Sequence, residues 1–573
     1  MKNNIYFYCL VVISLAGCNP KVENPADAIY FNGEILTMMG LEPAYVESVA
    51  IRNGRIVFVG PLAEADTLRG SDTKMVDLHG QTLLPGFIDA HGHVAQSGIQ
   101  RLTANLYPPP DGDGNSVAGL VESVNQWQSI NKPFIDKVGW IIGFGYDDSQ
   151  LAERRHPVAS DLDLISLDVP VLLIHQSGHL GVMNTKGLQV SGYDEGAPNP
   201  SGGVIRRKKG TTMPNGVLEE MALFQPLFGI LSKMDEEMSK AMVLAGIDAY
   251  TKYGFTTAQE GRATGATCDL LRKMAGENAL AIDVVAYPDI EKELAYMLAH
   301  KQKDQFNYFH NFRLGGVKIS LDGSPQGKTA WLTKPYLVPP EGKEKNYRGY
   351  PAIPDENTVF ALVDSAFANN WQILAHCNGD AAADQYFRAL RHAITLYGND
   401  DRRSVMIHAQ TVRDDQLDSM QNMYVIPSFF GMHTFYWGDW HRDETLGKER
   451  AYRISPALSA FYRGIIFTQH HDAPVVTPDA MRILWSVVNR ISRSGDVIGA
   501  DQRISAYLGL LSITRWAAFQ YFEGHLKGAI EVGKLADFVI LSANPVKVEP
   551  MYIDKIQVVE TIKEGKTVYT AGQ

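Results

Sequence analysis

The feature that most constrains this chain is an apolar run at residues 82–88 that leads into His91-Gly92-His93. The run predicts a buried strand. On an extended strand, residues i and i+2 point to the same side, so two imidazoles separated by one residue can hold one metal ion. A His-x-His pair on a surface strand is weak evidence, but this one follows Leu84-Pro85-Gly86 and a strand-like run. The sequence therefore predicts a metal site whose other ligands lie at other strand ends.

The bulk composition excludes some classes of protein. A chain of 573 residues is too long for one ordinary domain. Its 45% hydrophobic and 20% charged residues are typical of a soluble globular protein. A net charge of −11, without any Lys/Arg-rich run, argues against nucleic acid as a partner.

The first 17 residues predict a lipoprotein signal peptide. Lys2 gives a positive start, and the apolar stretch at residues 5–16 is too short to span a membrane. Leu15-Ala16-Gly17-Cys18 resembles the lipobox of bacterial lipoproteins, which implies cleavage before Cys18 and lipidation of that cysteine. The alternative is a plain secretory signal. Asn19 implies sorting to the outer membrane, facing the periplasm, in a Gram-negative host.

The four cysteines do not form a disulfide framework. Cys9 lies in the signal peptide, and Cys18 would carry the lipid at the start of a tether at residues 18–27. Cys268 and Cys377 are predicted to be buried small residues.

Strand-like segments at both ends of the chain predict one composite domain. Residues 28–80 contain four such runs, with the hairpin signal Asn53-Gly54 between the last two. Residues 528–573 contain three more. We expect these two segments to form a small β-sandwich, with residues 81–527 inserted between them.

Between the two ends, eight strand-like runs alternate with helical stretches. These runs begin at Thr82, Phe255, Ala281, Leu314, Gln372, Ser404, Met423 and Ile465. Eight such units imply an α/β fold of the TIM (β/α)8 barrel type, with a doubly wound sheet as the alternative. Residues of about 105–235 contain strand-like runs of their own, so they predict a subdomain inserted after the first strand.

Residues with metal chemistry fall at the ends of these runs, where a barrel has its active site. They are His91 and His93 after the first run, Lys318 in the fourth, His376 after the fifth, His408 after the sixth, and His470, His471 and Asp472 after the eighth. Neutral imidazoles and a carboxylate suit zinc or a similar cation, which can generate a nucleophile from water. A lysine becomes a ligand only as a carbamate, formed with carbon dioxide.

The chain resembles the amidohydrolase superfamily, in the amidohydrolase-3 branch that includes N-substituted formamide deformylases. The resemblance runs from about residue 27 to the end. It rests on the segments 84–93, 176–180, 316–319, 375–380, 407–410 and 533–538.

The resemblance implies a role for each ligand. His91, His93 and Asp472 would bind the more buried metal, and Asp472 would also shuttle the proton. Carbamylated Lys318 would bridge to a second metal bound by His376 and His408. The alternatives are an unmodified Lys318 beside a single metal, and contacts with substrate or with other ligands for His376 and His408.

The chain departs from the branch at one point, because His470-His471-Asp472 stands where the branch shows Gly-Ser-Asp. Each extra histidine either contacts substrate or faces away, and the second is favoured. Candidate substrate contacts are His179, Tyr146, Asp147, Asp322 and His471, with loop packing as the alternative for Tyr146 and Asp147. Aromatic residues after the seventh run predict either a lid or ordinary packing: Phe429, Phe430, Phe435, Tyr436, Trp437 and Trp440.

The predicted function is a metal-dependent hydrolase that cleaves an amide-type C–N bond, as in an N-acyl or N-formyl amine, by attack of metal-bound hydroxide. It would use one or two divalent ions, with zinc favoured, and a carbamate on Lys318. The alternatives are deamination or ester hydrolysis, and a non-catalytic solute-binding lipoprotein. The predicted partners are a small-molecule substrate and a membrane, which the protein would contact through its lipid anchor. The sequence also allows a homo-oligomer.

Overall fold

The computed structural model describes residues 23–300, 307–340 and 342–572. The predicted signal peptide, Cys9, Cys18 and most of the predicted tether lie outside these residues. At the end of that tether, the N–H groups of Ala26 and Asp27 donate to the carbonyls of Leu68 and Ile51, which lie in the short helix Asp66–Leu68 and the strand Tyr45–Arg52. Within the described part of the chain, no helix combines the length and apolar character that a membrane span needs.

One eight-stranded sheet combines strands from both ends of the chain. In spatial order it contains Lys566–Thr570, Val558–Lys563, Phe538–Leu541, Thr82–Pro85, Ala28–Leu36, Tyr45–Arg52 and Arg55–Gly60, and Lys74–Asp77 pairs with Ala28–Leu36. The predicted hairpin turn is present, because Asn53 and Gly54 adopt φ of +51° and +73° while Arg52 pairs with Arg55. The sandwich form and the domain boundaries stay predictions.

The apolar run at residues 82–88 is divided between two sheets, so the expectation of one continuous strand was wrong. Thr82–Pro85 pairs with Phe538–Leu541 in the first sheet, beyond the boundary predicted at residue 80. Phe87–Ile88 pairs with Phe255–Ala263 in the centre of the molecule. The chain crosses at Gly86, where a Cβ atom would lie only 2.4 Å from Cγ2 of Thr256. The backbone can approach the neighbouring strand this closely because glycine has no side chain.

Two sheets of parallel strands form the centre of the α/β fold. The first contains Phe87–Ile88, Phe255–Ala263, Asp283–Pro288 and Phe312–Leu314, and the second contains Gly316–Ser320, Gln372–Cys377, Val405–His408, Ile426–Phe429 and Thr468–Gln469. The seventh and eighth strands begin three residues later than predicted. The preceding apolar residues instead lead out of helices, where Tyr424 and Gly464 adopt φ of +54° and +70°.

Helices lie between the central strands and pack on them in one large apolar core. They include Val94–Leu102, Glu236–Lys252, Gly265–Gly276, Ile290–Ala299, Glu356–Ala368, Asp380–Tyr397, Asp414–Asn422, Ala457–Tyr462, Ala480–Asn489, Ala506–Ser512 and Arg515–Gln520. Side-chain caps start several of them, as where Asp235 accepts from the N–H of Met238. Cys268 and Cys377 are buried with free thiols, which confirms their prediction.

The segment after the first central strand forms a six-stranded sheet of its own. Its strands are Ala104–Asn105, Ile141–Tyr146, Val171–His175, Leu180–Met183, Gly203–Arg207 and Pro214–Glu220. Its helices are Val117–Ile130, Lys132–Val138, Ala159–Leu162, Thr185–Val190 and Met221–Leu231. Separate apolar clusters stabilise this sheet. The run predicted at residues 171–174 lies within Val171–His175, and the run predicted at 140–142 lies in Ile141–Tyr146 except for Trp140, which precedes the strand.

Candidate metal centre

Side chains that follow three of the central strands converge on Asp472. Its Oδ1 lies 3.3 Å from Nε2 of both His91 and His93, and its Oδ2 lies 3.9 Å from Nε2 of His408. The Nζ atom of Lys318 lies 3.0 Å from Nε2 of His91. One ligand atom each of His91, His408 and Asp472 lies within 4.8 Å of the others. The predicted residues therefore meet in one place.

Hydrogen bonds fix which ring nitrogen of His91 and of His93 faces this centre. Nδ1 of His93 lies 2.6 Å from the carbonyl of Gly261, which can only accept, so Nδ1 carries the proton. Nδ1 of His91 lies 2.6 Å from Oε1 of Gln259, whose amide nitrogen already donates to the carbonyl of Ala90. The Nε2 atoms of both rings therefore face the centre without a proton of their own, and that of His91 lies beside the Lys318 amine.

Sequence analysis missed Gln259 and Gly261. The second run was predicted to end near Ala258, whereas its strand continues to Ala263. The signal was present, because these polar residues directly extend an apolar run whose end faces the predicted site.

A cation fits this arrangement. Three acceptor atoms, Nε2 of His91, Nε2 of His93 and Oδ1 of Asp472, meet without a hydrogen between them. Asp472 Oδ1 and His408 Nε2 are also buried without a hydrogen-bond partner among the described residues. Such groups are costly when left unpaired, and a divalent cation satisfies all of them. The chemistry of the residues thus supports divalent-metal binding.

His470 and His471, where the chain departs from the pattern of the branch, have different surroundings. Nε2 of His470 lies 3.2 Å from Nδ1 of His408, and Nδ1 of His470 lies 2.9 Å from Oγ of Ser428. His471 is fully buried, and its ring centroid lies 5.1 Å from Tyr250 and 5.2 Å from Phe255. His470 thus contacts a ligand, while the core placement of His471 does not favour its predicted substrate contact.

Lys318 and His376 complete the predicted ligand set. Burial lowers the pKa of Lys318 to about 7, so a neutral amine is accessible near neutral pH. The ring centroid of His376 lies 4.4 Å from that of His408, and its Nδ1 lies 3.3 Å from Oδ1 of Asp322. The Asp322 carboxylate also accepts from the N–H groups of Asn378 and Gly379. Asp322 therefore contacts His376, a predicted ligand, and holds the loop that follows it.

Burial also keeps the histidine ligands neutral. Burial, followed by the charge of Lys318, lowers the pKa of His91 to about 3. Burial and the neighbouring His376 hold the pKa of His408 well below its usual range. Neutral imidazoles are the form that binds a metal, so little proton competition is expected at physiological pH.

His179 and Phe430 lie at the rim of the centre. Nδ1 of His179 lies 2.9 Å from Oε2 of Glu220, and its ring centroid lies 6.0 Å from that of His376. The Phe430 ring lies 6.1 Å from His408. Other aromatic residues of the predicted lid are used elsewhere: Phe429 packs on Phe467, Phe435 packs on Trp485, Tyr436 donates to Asp111, Trp437 donates to Asp147, and Trp440 donates to the Gln326 carbonyl. The lid itself stays a prediction.

Tyr146 and Asp147 lie in a second polar cluster, with Asp148, His156 and His175. Nε2 of His175 lies 3.1 Å from Oδ1 of Asp148 and 3.7 Å from Oδ1 of Asp147. The hydroxyl of Tyr146 lies 3.2 Å from Nδ1 of His156. Among the described residues, no hydrogen bond links this cluster to Asp472. Adjacent strand ends carry Asp148 and His175, and that was the signal which sequence analysis missed.

Comparison with known proteins identifies the family. The model of the amidohydrolase family matches residues 74–569. The chain is 25% identical over 560 residues to the putative amidohydrolase YtcJ of Bacillus subtilis, covering 95% of this chain and 99% of that protein. It is 23% identical over 550 residues to the N-substituted formamide deformylase of Arthrobacter pascens, covering 95% and 98%. An uncharacterized metal-dependent hydrolase from Pyrococcus horikoshii shares the fold, with a TM-score of 0.71 at 22% identity over 91% of this chain and 99% of that one.

The fold and the ligand cluster define a metal-dependent hydrolase of the α/β class. The chain belongs to the amidohydrolase family, in its amidohydrolase-3 branch, and it is an enzyme that hydrolyses carbon–nitrogen bonds.

Proposed function

We propose that this enzyme cleaves the amide bond of N-formyl or N-acyl amines. The observation that carries the proposal is the meeting of bare acceptor atoms from His91, His93 and Asp472 beside the buried amine of Lys318. The similarity to an N-substituted formamide deformylase along almost the whole chain supports the choice of substrate.

A closed (β/α)8 barrel is the scaffold we propose. Phe312–Leu314 and Gly316–Ser320 are successive parts of one run, interrupted at Gly315, so the nine central strands count as eight. Within each sheet, every strand pairs with its neighbours in the chain, whereas a doubly wound sheet needs a reversal of strand order. The N–H of Gly315 donates to the carbonyl of Ala286, which links the two central sheets on one side. On the other side, the N–H of His93 donates to the carbonyl of Ala473, and the N–H of Asp472 donates to the carbonyl of His91. These bonds support closure between the first and the last strand.

We propose that two cations, most simply zinc, are held at the strand ends. His91, His93 and Asp472 would hold one of them, and His376 and His408 the other. The Lys318 amine would add to the carbon of carbon dioxide and release one proton, and the resulting carbamate would lie between the two sites. The lowered pKa of Lys318 supports this step because only the neutral amine reacts.

The reaction assigns each group a task. Cations bound here supply Lewis-acid polarisation of the scissile carbonyl and lower the pKa of water. Asp472, whose side chain keeps 12% of its surface exposed, accepts the proton of the attacking water and delivers it to the departing nitrogen. His470 and Ser428 orient His408, while Gln259 and the Gly261 carbonyl orient the first two histidines.

The predicted location of the enzyme also remains a proposal. Lipidation of Cys18, which lies outside the described residues, would anchor the enzyme to the outer membrane facing the periplasm. Labelling of cells with a radioactive fatty acid tests this, because a Cys18→Ser variant should lose the label.

The function is tested by assaying purified enzyme against N-formyl and N-acetyl amines. We expect release of formate or acetate, loss of activity after chelation, and recovery when zinc is restored. Metal-loaded enzyme that releases ammonia from heterocyclic amines but no formate or acetate would support the deaminase alternative. Turnover that persists in metal-free protein would contradict the proposal.

A further inference from the structure

Arg262 is a charged residue at the metal centre that the mechanism does not use. It follows Gly261, whose carbonyl accepts from Nδ1 of the ligand His93. On its other side, Nε of Arg262 lies 3.0 Å from Oδ2 of Asp289, and the backbone of Asp289 is bridged to that of Lys318. The strand end therefore holds this guanidinium beside the ligand set.

Only one edge of the Arg262 guanidinium is occupied. The Nε atom bonds to Asp289, while neither Nη atom has a hydrogen-bond partner among the described residues. The side chain is 35% exposed, in contrast to the buried Lys318. The two Nη groups of Arg262, which form its outer fork, are thus available to a ligand that enters the centre.

Arg262 forms an ion pair with Asp289, and its charge also acts on Lys318 and His179. Burial is the main cause of the lowered pKa of Lys318, and the positive charge of Arg262 acts in the same direction. Burial and the charge of Arg262 act to lower the pKa of His179, but Glu220 raises it. The Asp289 carboxylate offsets part of this charge but leaves the two Nη groups unsatisfied. A planar fork of N–H donors matches the geometry of a carboxylate.

We propose that Arg262 binds a carboxylate of the substrate, so that the preferred substrates are N-formyl or N-acyl amines that also carry a carboxylate. This inference rests on the proposed function, since it names the substrate class of the same site. The acyl group would lie over the ligand set while the carboxylate pairs with the outer fork. A neutral amide in place of the carboxylate would leave the fork without an anionic partner.

The test compares two probes that differ only at the carboxylate. Each enantiomer of N-formylphenylalanine and its primary amide are bound to the metal-loaded enzyme, and affinity is measured by calorimetry while formate release is followed separately. The phenyl group is chosen because Phe430 lies beside His408. We expect one enantiomer of the acid to bind about 10- to 100-fold more tightly than the amide of the same enantiomer. Added salt should reduce this difference in affinity between the acid and the amide.

The Arg262→Gln variant should remove most of this preference, because its loss of affinity for the acid should be much larger than any loss for the amide. Arg155→Gln is the matched control, since Arg155 pairs with Asp161 at an exposed position. The Arg262→Lys variant, which keeps the charge without the fork, should give an intermediate ratio. Metal content and thermal unfolding show that each variant is folded and loaded. If Arg262→Gln does not fold, the ratio between acid and amide in the wild type remains decisive.

Two results would overturn the role of Arg262: equal affinity of the wild type for acid and amide, or an equal loss for both probes in Arg262→Gln. If an N-formyl amine is still hydrolysed in that case, the proposed function stands and only the substrate class falls. If instead the acid binds in an Arg262-dependent way but no formyl or acyl amine is cleaved, the proposed function falls and the carboxylate site stands.

Discussion

Two buried clusters in this molecule contain the same kinds of residue but satisfy them differently. The first surrounds Asp472, and the second contains Asp147, Asp148 and His175. Both bring imidazole and carboxylate atoms to within 4.8 Å of one another. Geometry of this kind does not by itself separate a metal centre from an ion-pair network.

The hydrogen positions separate the two clusters. In the second, Oδ2 of Asp147 accepts from Nε1 of Trp437, and Oδ1 accepts from the N–H and hydroxyl of Ser149. Burial acts to lower the pKa of His175, but hydrogen bonds and charge from Asp147 and Asp148 raise it to about 9. The two carboxylates thus favour a second proton on His175, which would replace the hydrogen bond that its Nδ1 accepts from the N–H of Ser177. In the cluster at Asp472, the Lys318 amine lies within hydrogen-bond distance of Nε2 of His91, but Oδ1 of Asp472 and Nε2 of His408 have no hydrogen-bond partner among the described residues, and a metal cation would satisfy both.

The largest expected effect tests the catalytic role of Asp472 in the first cluster. An Asp472→Asn variant should lose turnover by about 10²- to 10⁴-fold, because an amide cannot accept the proton of the attacking water. Its metal content, measured by mass spectrometry, should stay close to that of the wild type, since the histidine ligands remain. Asp136→Asn, at an exposed position, is the control. Unchanged turnover in Asp472→Asn would refute the proposed role.

The next prediction addresses the second cluster. An Asp147→Asn variant should lower the free energy of unfolding by about 3 kcal/mol, because it removes one partner of a buried charge network. Urea denaturation measures this loss, again against Asp136→Asn. The number of metal ions per chain should not change. A loss of one bound ion would break the comparison, because the second cluster would then be a metal site.

The predicted ligands of the first cluster could be found from the sequence because each lies a short distance after an apolar run. His408 ends its strand, His376 is the last residue but one of its strand, and Asp472 lies three residues after a strand. Parallel strands bring their carboxyl ends to one edge, so local patterns were enough to predict that these residues meet. This rule needs no knowledge of which side chains touch.

Other features depend on pairing between distant segments and could not be predicted in this way. The run at residues 82–88 looked like one strand, but Thr82–Pro85 pairs with Phe538–Leu541, more than 400 residues away. The contact of His470 with His408 depends on the register between two strands. The cluster at His175 forms only when Ile141–Tyr146 and Val171–His175 lie side by side.

A smaller effect is expected from the residue that supports His408. A His470→Leu variant removes the group that pairs with Nδ1 of His408, so this ring loses its fixed orientation. We expect metal affinity to fall by about 10- to 100-fold, as measured by competition with a chromophoric chelator. The adjacent His471→Leu variant is the matched control, because His471 packs on Tyr250 and Phe255. Equal metal affinity in the two variants would show that His470 has no orienting role.

The smallest effect is a pH dependence that belongs to the second cluster alone. The pKa of His175 is about 9 in the folded protein and near its ordinary value of 6.5 when unfolded. A raised folded pKa stabilises the protein fully below about pH 6.5, and this stabilisation is lost as the pH rises through about 9. Asp147 and Asp148 face the ring, and burial keeps the pKa of the adjacent His156 near 3, so that histidine carries no charge over this range.

Urea unfolding of the wild type and of His175→Gln at several pH values measures this contribution. Between pH 6.5 and 9 the wild type should lose on the order of 2 kcal/mol of stability relative to the variant. Parallel profiles would mean that His175 gains no proton on folding. The two carboxylates would then lack the charge of His175 and keep that of Arg206, which acts on Asp148.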